Sequence, residues 1–306
     1  MSAAVSQNHL DDERQAEPLG PITALFHATD GCPLVGTLFE PSVPIRATVV
    51  LNAATGVPRR FYGPFAAHLA RHGLATLTWD YRGIGDSAPA SLRGFAATKQ
   101  DWGRLDMSAA FGWLADRFPG APRTVLGHSV GGQLIGLMDA PDRIDAVVTI
   151  GCGFGYWGHI AGPYRFVVAG LWYLVIPAAT RLAGYLPARR LGLGEDLPTG
   201  VALEWARWGK QARYFSDELG QEAGFAELKA PWRAFILSDD PIATLDNVRP
   251  LHALYKNARI DLEVLDPEAF GFDSIGHLGF FSRRRRALWD RPVDWLLDAV
   301  RERAEG

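Results

Sequence analysis

The chain has 306 residues, of which 48% are hydrophobic and 21% are charged, and its formal net charge is −3. Such a composition is typical of a globular protein with a large core, and the small net charge gives no electrostatic basis for binding nucleic acid. Two cysteines, Cys32 and Cys152, are too few for a disulfide framework and fit a reducing compartment, so we expect a cytoplasmic location. Residues 1–20 are polar and acidic without the apolar stretch of a signal peptide, and we interpret them as a mobile tail.

Short apolar runs alternate with longer helical patterns along the chain, which indicates an α/β fold with a mostly parallel sheet of about eight strands. The turn Asp30-Gly31 predicts a hairpin between the first two strands. The predicted strands are 22–27, 33–39, 47–52, 75–79, 124–126, 146–150, 234–237 and 260–265, and the predicted helices are about 62–72, 101–117, 130–138, 246–256 and 281–302.

One long insertion interrupts this alternation after the sixth strand. It spans residues 152–229 and divides a core made of 21–151 and 230–306. Its apolar and aromatic composition suits a helical lid over a ligand pocket, and a subdomain that packs for stability alone is the alternative. We predict that Trp157, Trp205 and Trp208 of this insertion bind a hydrophobic or aromatic substrate.

The segment 166–179 within the insertion is apolar throughout. It has 14 residues, contains Pro177 and is flanked by Arg165 and Arg181. Because a membrane span needs about 20 apolar residues, we expect a buried or interfacial helix and no transmembrane span.

The pentapeptide Gly127-His128-Ser129-Val130-Gly131 stands between a predicted strand and a predicted helix. This pattern is typical of a nucleophile elbow, a tight turn that raises a serine hydroxyl above the sheet and needs small neighbours on both sides. The alternative is a structural glycine turn in which the serine only caps the following helix, since this would have the same sequence pattern. We identify Ser129 as the candidate nucleophile and the Val130 N–H as a candidate oxyanion donor.

A serine needs a base to take its proton, and proteins with this elbow have the order serine, acid, histidine along the chain. Three histidines follow Ser129, namely His159, His252 and His277. His277 lies in the glycine-rich stretch GFDSIGHLGFF after the last strand, so we predict that it is the base. For the acid, the stretch AFILSDDPIAT supplies Asp239 and Asp240 after the penultimate strand, and we prefer Asp240.

Two further acids, Asp266 and Asp273, are weaker candidates because both follow the last strand. The second oxyanion donor is expected in the loop LNAATGVPRRF after the third strand. We assign it to the backbone N–H of Ala54, with Thr55 as the alternative.

These motifs together resemble the α/β-hydrolase family, and within it the serine-aminopeptidase-like and monoacylglycerol-lipase-like branch. The resemblance covers about residues 20–302 and includes the segment 80–87, DYRGIGDS, which is similar to the family's D-x-R-G-x-G-x-S loop. It implies an α/β-hydrolase fold, a Ser-His-Asp triad and a lid in the position of the insertion. The chain departs from many relatives in having Asn52-Ala53 in place of His-Gly after the third strand.

No cofactor or metal motif is present in the sequence. The glycines at 83 and 85 follow a strand, but the third glycine of a dinucleotide-binding fingerprint is missing, and the histidines do not form a metalloprotease pattern with carboxylates. We therefore predict a cofactor-independent serine hydrolase that cleaves a hydrophobic or aromatic carboxylic ester, a small-molecule substrate, through an acyl-enzyme.

Three alternatives stay open from the sequence. An amide or peptide hydrolase would use the same triad, with Glu195, Asp196 or Glu204 binding a free amine. The same scaffold also supports carbon–carbon bond hydrolysis. The third alternative is a ligand-binding protein without turnover. The oligomeric state is not predicted.

Overall fold

The computed structural model describes residues 18–305, so almost all of the predicted N-terminal tail lies outside the described residues. Eight strands form one sheet in the order β1-β2-β4-β3-β5-β6-β9-β10, and β2 runs antiparallel to both of its neighbours, while the other pairs are parallel. The strands are β1 Ile22–His27, β2 Pro33–Phe39, β3 Ala47–Asn52, β4 Leu74–Asp80, β5 Arg123–His128, β6 Ala146–Ile150, β9 Trp232–Leu237 and β10 Ile260–Leu265. All eight strands predicted from the sequence are present. Two short strands that were not predicted, β7 Tyr185–Leu186 and β8 Leu197–Pro198, form a separate ribbon in the insertion.

The central strands are apolar because both of their faces are covered. Every residue of β3, β4 and β6 is buried, as is usual for a parallel sheet with helices on each side. The covering helical segments of the core are Arg59–Tyr62, Gly63–Arg71, Gly85–Ser87, Lys99–Asp101, Trp102–Met107, Ser108–Arg117, Val130–Gln133, Ile135–Leu137, Pro141–Arg143, Leu245–His252, Glu268–Phe270, Gly276–Gly279, Arg283–Leu288 and Asp290–Glu305.

Several predicted helices differ from the structure in type or extent. The one predicted at 281–302 consists of a 3-10 segment, Arg283–Leu288, followed by the α-helix Asp290–Glu305, and the one predicted at 101–117 contains a π-helical turn at Trp102–Met107. The helix predicted at 130–138 consists of Val130–Gln133 followed by a 3-10 turn at Ile135–Leu137, where Phe225 of the insertion packs closely against Gly136. The helix predicted at 246–256 ends at His252. Pro250 lacks the backbone N–H that a continuing helix would use, which favours an early end.

The insertion leaves the sheet after β6 and returns to it at β9. Its helical segments are Trp157–His159, Tyr164–Gly170, Leu171–Val175, Ile176–Ala183, Ala188–Leu191, Thr199–Gly209, Ser216–Leu219 and Ala223–Glu227. Residues from several of these segments, including Trp172, Ile176 and Val201, belong to the same hydrophobic cluster as the sheet. The insertion is therefore packed continuously onto the core.

The apolar segment 166–179 is part of a longer helix than the sequence predicts. Tyr164–Ala183, here called the roof helix, has 20 residues and passes through Pro177. A π-helical turn at Leu171–Val175 precedes the proline, and such turns accommodate irregular hydrogen bonding inside a helix. By length and composition the roof helix is the one described helix that could cross a membrane, and 22% of its most apolar window is buried. One of its sides contacts the pocket described below.

Candidate functional site

Ser129 lies in the turn between β5 and the helix Val130–Gln133. Its φ is +53° and its ψ is −117°, a conformation that residues with a side chain rarely adopt. Such strain persists only where the surrounding structure enforces it, and it concentrates at functional sites. The predicted elbow is therefore present as a strained strand-to-helix turn.

Close backbone contacts explain the glycines on either side of Ser129. A Cβ atom at Gly127 would lie 2.5 Å from the Gly132 nitrogen, and one at Gly131 would overlap the carbonyl group of Asn52. Asn52, which departs from the family's usual histidine, is buried and accepts a 3.1 Å hydrogen bond from the Trp79 indole. The turn thus leaves no space for side chains at the two glycines.

His277 and Asp240 form the second part of the site. His277 Nδ1 and Asp240 Oδ2 are 2.6 Å apart, and the Asp240 carboxylate is buried. Burial alone would raise the pKa of Asp240, but His277 and the N–H groups of Ile242 and Ala243 hold that pKa below its ordinary value. Asp240 is therefore ionised and can orient the imidazole ring.

The adjacent Asp239 has a different set of contacts. Its carboxylate accepts hydrogen bonds from the backbone N–H groups of Ile275 and Gly276, at 2.7 and 2.9 Å. These contacts fix the loop that carries His277. The weaker candidate Asp266 accepts a bond from the Glu268 N–H within its own turn, and the structure places neither Asp266 nor Asp273 beside His277.

Sequence reasoning missed a buried hydrogen-bonded chain that joins the loop after β3, the elbow turn and the loop of His277. The Ala54 N–H donates to the Tyr62 hydroxyl at 2.9 Å, and that hydroxyl lies 2.7 Å from His128 Nδ1. His128 Nε2 lies 2.9 Å from the carbonyl oxygen of His277. Because a carbonyl only accepts, Nε2 carries the proton and Nδ1 accepts from Tyr62.

Burial lowers the pKa of His128 to about 3, with a further contribution from the neighbouring His277. His128 is therefore neutral, as this direction of hydrogen bonding requires. Its position inside the pentapeptide gave no sign of the role, because the partner residues lie 66 and 149 positions away in the chain.

This series of hydrogen bonds corrects the prediction for the second oxyanion donor. The N–H of Ala54 is already donated to Tyr62, so Ala54 is not the free donor that was expected. The N–H of Thr55, the alternative, makes no hydrogen bond to any residue in 18–305, and neither does that of Val130. Thr55 lines the pocket that contains Ser129, and Val130 follows Ser129 directly at the start of the helix.

Ser129 and His277 line a pocket of about 370 Å³ between the sheet and the insertion. No hydrogen bond joins the Ser129 hydroxyl to His277 among the described contacts, and such bonds often form fully only when a substrate is bound. The pocket wall is mostly apolar and also includes polar residues. Its main residues are Ala54, Thr55, Lys99, Gln133, Ile160, Tyr164, Val168, Leu171, Trp172, Trp205, Tyr214, Ile242 and Leu278.

Of the three tryptophans predicted to bind substrate, the structure places one in the pocket. Trp205 lines it, together with Trp172, which packs against Trp205 with ring centroids 4.6 Å apart. Trp208 is fully buried in the core and donates its indole N–H to Glu218. Trp157 packs against Tyr156 and is not part of the pocket wall. The predictions for Trp157 and Trp208 are therefore wrong.

The acidic residues considered for binding an amine are engaged elsewhere. Glu195 forms ion pairs with Arg60 and Arg189, and Asp196 accepts from the Arg189 N–H. Glu204 accepts from backbone and side-chain N–H groups of the Lys99–Asp101 turn. None of the three lines the Ser129 pocket.

A cluster of possible metal ligands lies outside the pocket. Nitrogen atoms of His68 and His72 and a carboxylate oxygen of Asp290 lie within 4.8 Å of one another. His68 Nε2 and Asp290 Oδ1 are 2.9 Å apart, so the pair links the helix Gly63–Arg71 to the last helix. Arg71 and Arg286 lie along the same surface depression, and their positive charge disfavours a cation there. None of this cluster touches the residues around Ser129.

The sheet order, the strained serine after β5 and the histidine after the last strand together define a serine hydrolase of the α/β-hydrolase fold. Residues 44–191 match the serine aminopeptidase S33 family, which confirms the resemblance found in the sequence. This matched region includes the elbow and the roof helix.

Solved structures show the same fold over nearly the whole chain. An esterase of Pyrococcus furiosus has a TM-score of 0.58 and 16% identity, with coverage of 93% of this chain and 92% of that one. The esterase domain of a Rhodothermus marinus protein has a TM-score of 0.56 and 17% identity, with 92% and 100% coverage. A hypothetical protein from Pseudomonas aeruginosa has a TM-score of 0.61 and 16% identity, with 93% and 94% coverage.

Proposed function

We propose that the protein hydrolyses a carboxylic ester through an acyl-enzyme formed on Ser129. The observation that carries this proposal is the common pocket of Ser129 and His277, in which His277 is held at 2.6 Å by the buried carboxylate of Asp240. A strained serine, an imidazole and an ionised acid in this order have the roles of nucleophile, base and orienting group.

In the first step, His277 takes the proton of the Ser129 hydroxyl as its oxygen attacks the ester carbonyl. The N–H groups of Val130 and Thr55 stabilise the negative charge that develops on the carbonyl oxygen. His277 then gives its proton to the departing alcohol. A water molecule, deprotonated by His277, attacks the acyl-enzyme, and the serine leaves with that proton to release the carboxylic acid.

The pocket supports an acyl or alcohol group of moderate size with apolar surface. Its volume of about 370 Å³ lies toward the lower end of the range for small-molecule sites. We infer that the insertion acts as a lid, because Val168, Leu171 and Trp172 of the roof helix line this space. Peptide amines are less well supported, since Glu195 and Glu204 are already paired.

The proposal is tested by hydrolysis of p-nitrophenyl esters with increasing acyl chain length. We expect Ser129→Ala to lose at least about 10³-fold in kcat, while Ser282→Ala, a serine that does not line the pocket, keeps wild-type activity. A fluorophosphonate should label the wild type and fail to label Ser129→Ala. Absence of both turnover and labelling in the folded wild type would overturn the proposal.

Chain-length preference tests the assignment of the pocket wall. Trp205→Ala enlarges the pocket and should move the preference toward longer acyl chains. Trp208→Ala is the matched control, because it removes a core indole of the same helix and should lower stability without changing the preference. Equal preferences in the wild type and Trp205→Ala would remove Trp205 from the substrate site.

A further inference from the structure

Lys99 is a fully buried lysine in the wall of the mostly apolar Ser129 pocket. Its Nζ donates to Thr55 Oγ1 at 2.9 Å and lies 4.6 Å from the centre of the Trp205 ring. Both of these neighbours also line the pocket. Lysine is almost never fully buried unless it is paired, so the arrangement needs an explanation.

No carboxylate in the described part of the chain pairs with the Lys99 ammonium group. Glu204 is the acidic residue whose charge acts on it. One oxygen of Glu204 accepts from the backbone N–H groups of Lys99 and Gln100, and the other accepts from the Gln100 side chain and from Arg207. Glu204 is therefore occupied by other donors.

The ammonium group consequently has unused binding capacity. It carries three N–H donors, of which one is accounted for by the Thr55 hydroxyl, and the Trp205 ring provides a weaker cation–π contact. Burial lowers the pKa of Lys99 well below its ordinary value, and the charge of Glu204 opposes this only in part. A bound anion would favour the protonated form of Lys99 and pair with its charge, which no carboxylate of the described residues does.

The pocket wall also holds a buried donor without a hydrogen-bond partner in residues 18–305, the indole Nε1 of Trp172. A ligand oxygen could accept this N–H, which favours a ligand with oxygen acceptors over one that brings an amine.

We propose that Lys99 binds a carboxylate of the substrate, so that the preferred esters carry a free carboxylate a few bonds from the scissile carbonyl. This inference rests on the proposed ester hydrolysis. The short distance follows from Thr55, whose hydroxyl contacts Lys99 while its N–H is the proposed donor to the carbonyl oxygen of the ester. Half-esters of short dicarboxylic acids have this arrangement.

The test compares monoethyl glutarate with ethyl 5-amino-5-oxopentanoate, in which a neutral amide replaces the carboxylate. Acid release is measured in a pH-stat. We expect the wild type to have a kcat/KM at least about tenfold higher for monoethyl glutarate than for the amide, because its carboxylate would form a charge-assisted hydrogen bond with Lys99. Lys99→Met should bring this ratio close to one, and Lys99→Arg should retain part of it. Lys210→Met, a lysine of the insertion outside the pocket wall, should keep the wild-type ratio.

Several outcomes separate this inference from a structural role of Lys99 and from the proposed function. If Lys99→Met lowers kcat/KM equally for both esters, Lys99 only supports the Thr55 loop and the inference is overturned. Hydrolysis of both esters without a wild-type preference also overturns it and leaves ester hydrolysis intact.

Binding is measured independently of turnover as the glutarate-induced rise in the melting temperature of Ser129→Ala. Glutarate should raise this temperature, whereas glutaramide should not, and the effect should be lost in the double variant with Lys99→Met. A rise without turnover of any ester would support the carboxylate site and contradict ester hydrolysis. No rise would contradict the carboxylate site.

Discussion

Removal of the Tyr62 hydroxyl should damage both the stability and the chemistry of this enzyme. In Tyr62→Phe, the Ala54 N–H loses its acceptor and His128 Nδ1 loses its donor, and all three residues are buried. An unsatisfied buried polar group costs about 1–3 kcal/mol. Since the lost hydroxyl no longer needs burial itself, we expect a net loss of about 2–4 kcal/mol in the free energy of unfolding.

The expected effect on catalysis follows from the two loops that these hydrogen bonds connect, those of Thr55 and His277. Ala54 precedes the proposed oxyanion donor Thr55, and His128 holds the carbonyl of His277. Displacement of these loops by a fraction of an ångström should lower kcat about 10- to 100-fold, with a smaller change in KM. Denaturant unfolding and ester kinetics on the same preparation measure both quantities.

Tyr255→Phe is the matched control. Tyr255 is also a buried tyrosine, and its hydroxyl accepts the Gly136 N–H at 3.0 Å without contacting the loops of Thr55 or His277. It should lose about 1–3 kcal/mol of stability while keeping most of its kcat. If Tyr62→Phe is destabilised to the same degree and keeps the wild-type kcat, the hydrogen-bonded chain has no part in positioning the catalytic groups.

Three further predictions address strain, pH and the roof helix. Ser129→Gly should be more stable than Ser129→Ala by about 1–2 kcal/mol in chemical denaturation, because glycine relieves the positive φ, and equal stability would contradict the strain. Burial lowers the pKa of His252 to about 4 in the folded state, whereas the unfolded value is about 6.5, so the unfolded chain binds the extra proton as the pH falls below 6.5. Relative to the wild type, His252→Leu should therefore gain about 2 kcal/mol in the free energy of unfolding between pH 7.5 and pH 5, and a pH-independent difference would refute the assigned pKa. On the roof helix, Ile176→Ala should cost about 2–5 kcal/mol because the side chain is 0% exposed, whereas Leu174→Gln, at 71% exposure, should change stability by less than about 0.5 kcal/mol; similar losses in thermal unfolding would mean that the outer face is covered.

Local sequence patterns were sufficient for the sheet and for the elbow turn that carries Ser129. The central strands are short apolar runs whose burial on both faces leaves a continuous hydrophobic signal, as in β3 and β6, whereas the outer strand β1 alternates between exposed and buried positions. The elbow is recognisable because its constraints are also local, since the glycines that allow the turn lie two positions from Ser129. Among the three histidines after Ser129, His277 is the predicted base because strand order limits where a base can lie.

Contacts between distant segments could not be obtained in this way. The role of His128 depends on Tyr62 and on the His277 carbonyl, and the use of the Ala54 N–H depends on the same tyrosine hydroxyl. The sequence offered Ala54 and Thr55 as neighbours with equivalent backbone groups. The path of the loop from β3 to the helix that begins at Gly63 determines which of the two N–H groups is free. No residue pattern in a sequence gives the direction of a backbone N–H group.

The residues of the pocket wall also depend on contacts between distant segments. This dependence explains why Lys99 could not be recognised as a pocket residue from the sequence. Trp205 and Trp208 are three positions apart on one helix, yet one lines the pocket and the other contacts Glu218. Which one faces substrate depends on where the 20-residue roof helix lies across that helix. Lys99 belongs to the core, and in the sequence it stands among polar residues that resemble a solvent-exposed turn. Its burial arises because the insertion covers it with Trp205, so the charge of the pocket is a property of the two parts packed together.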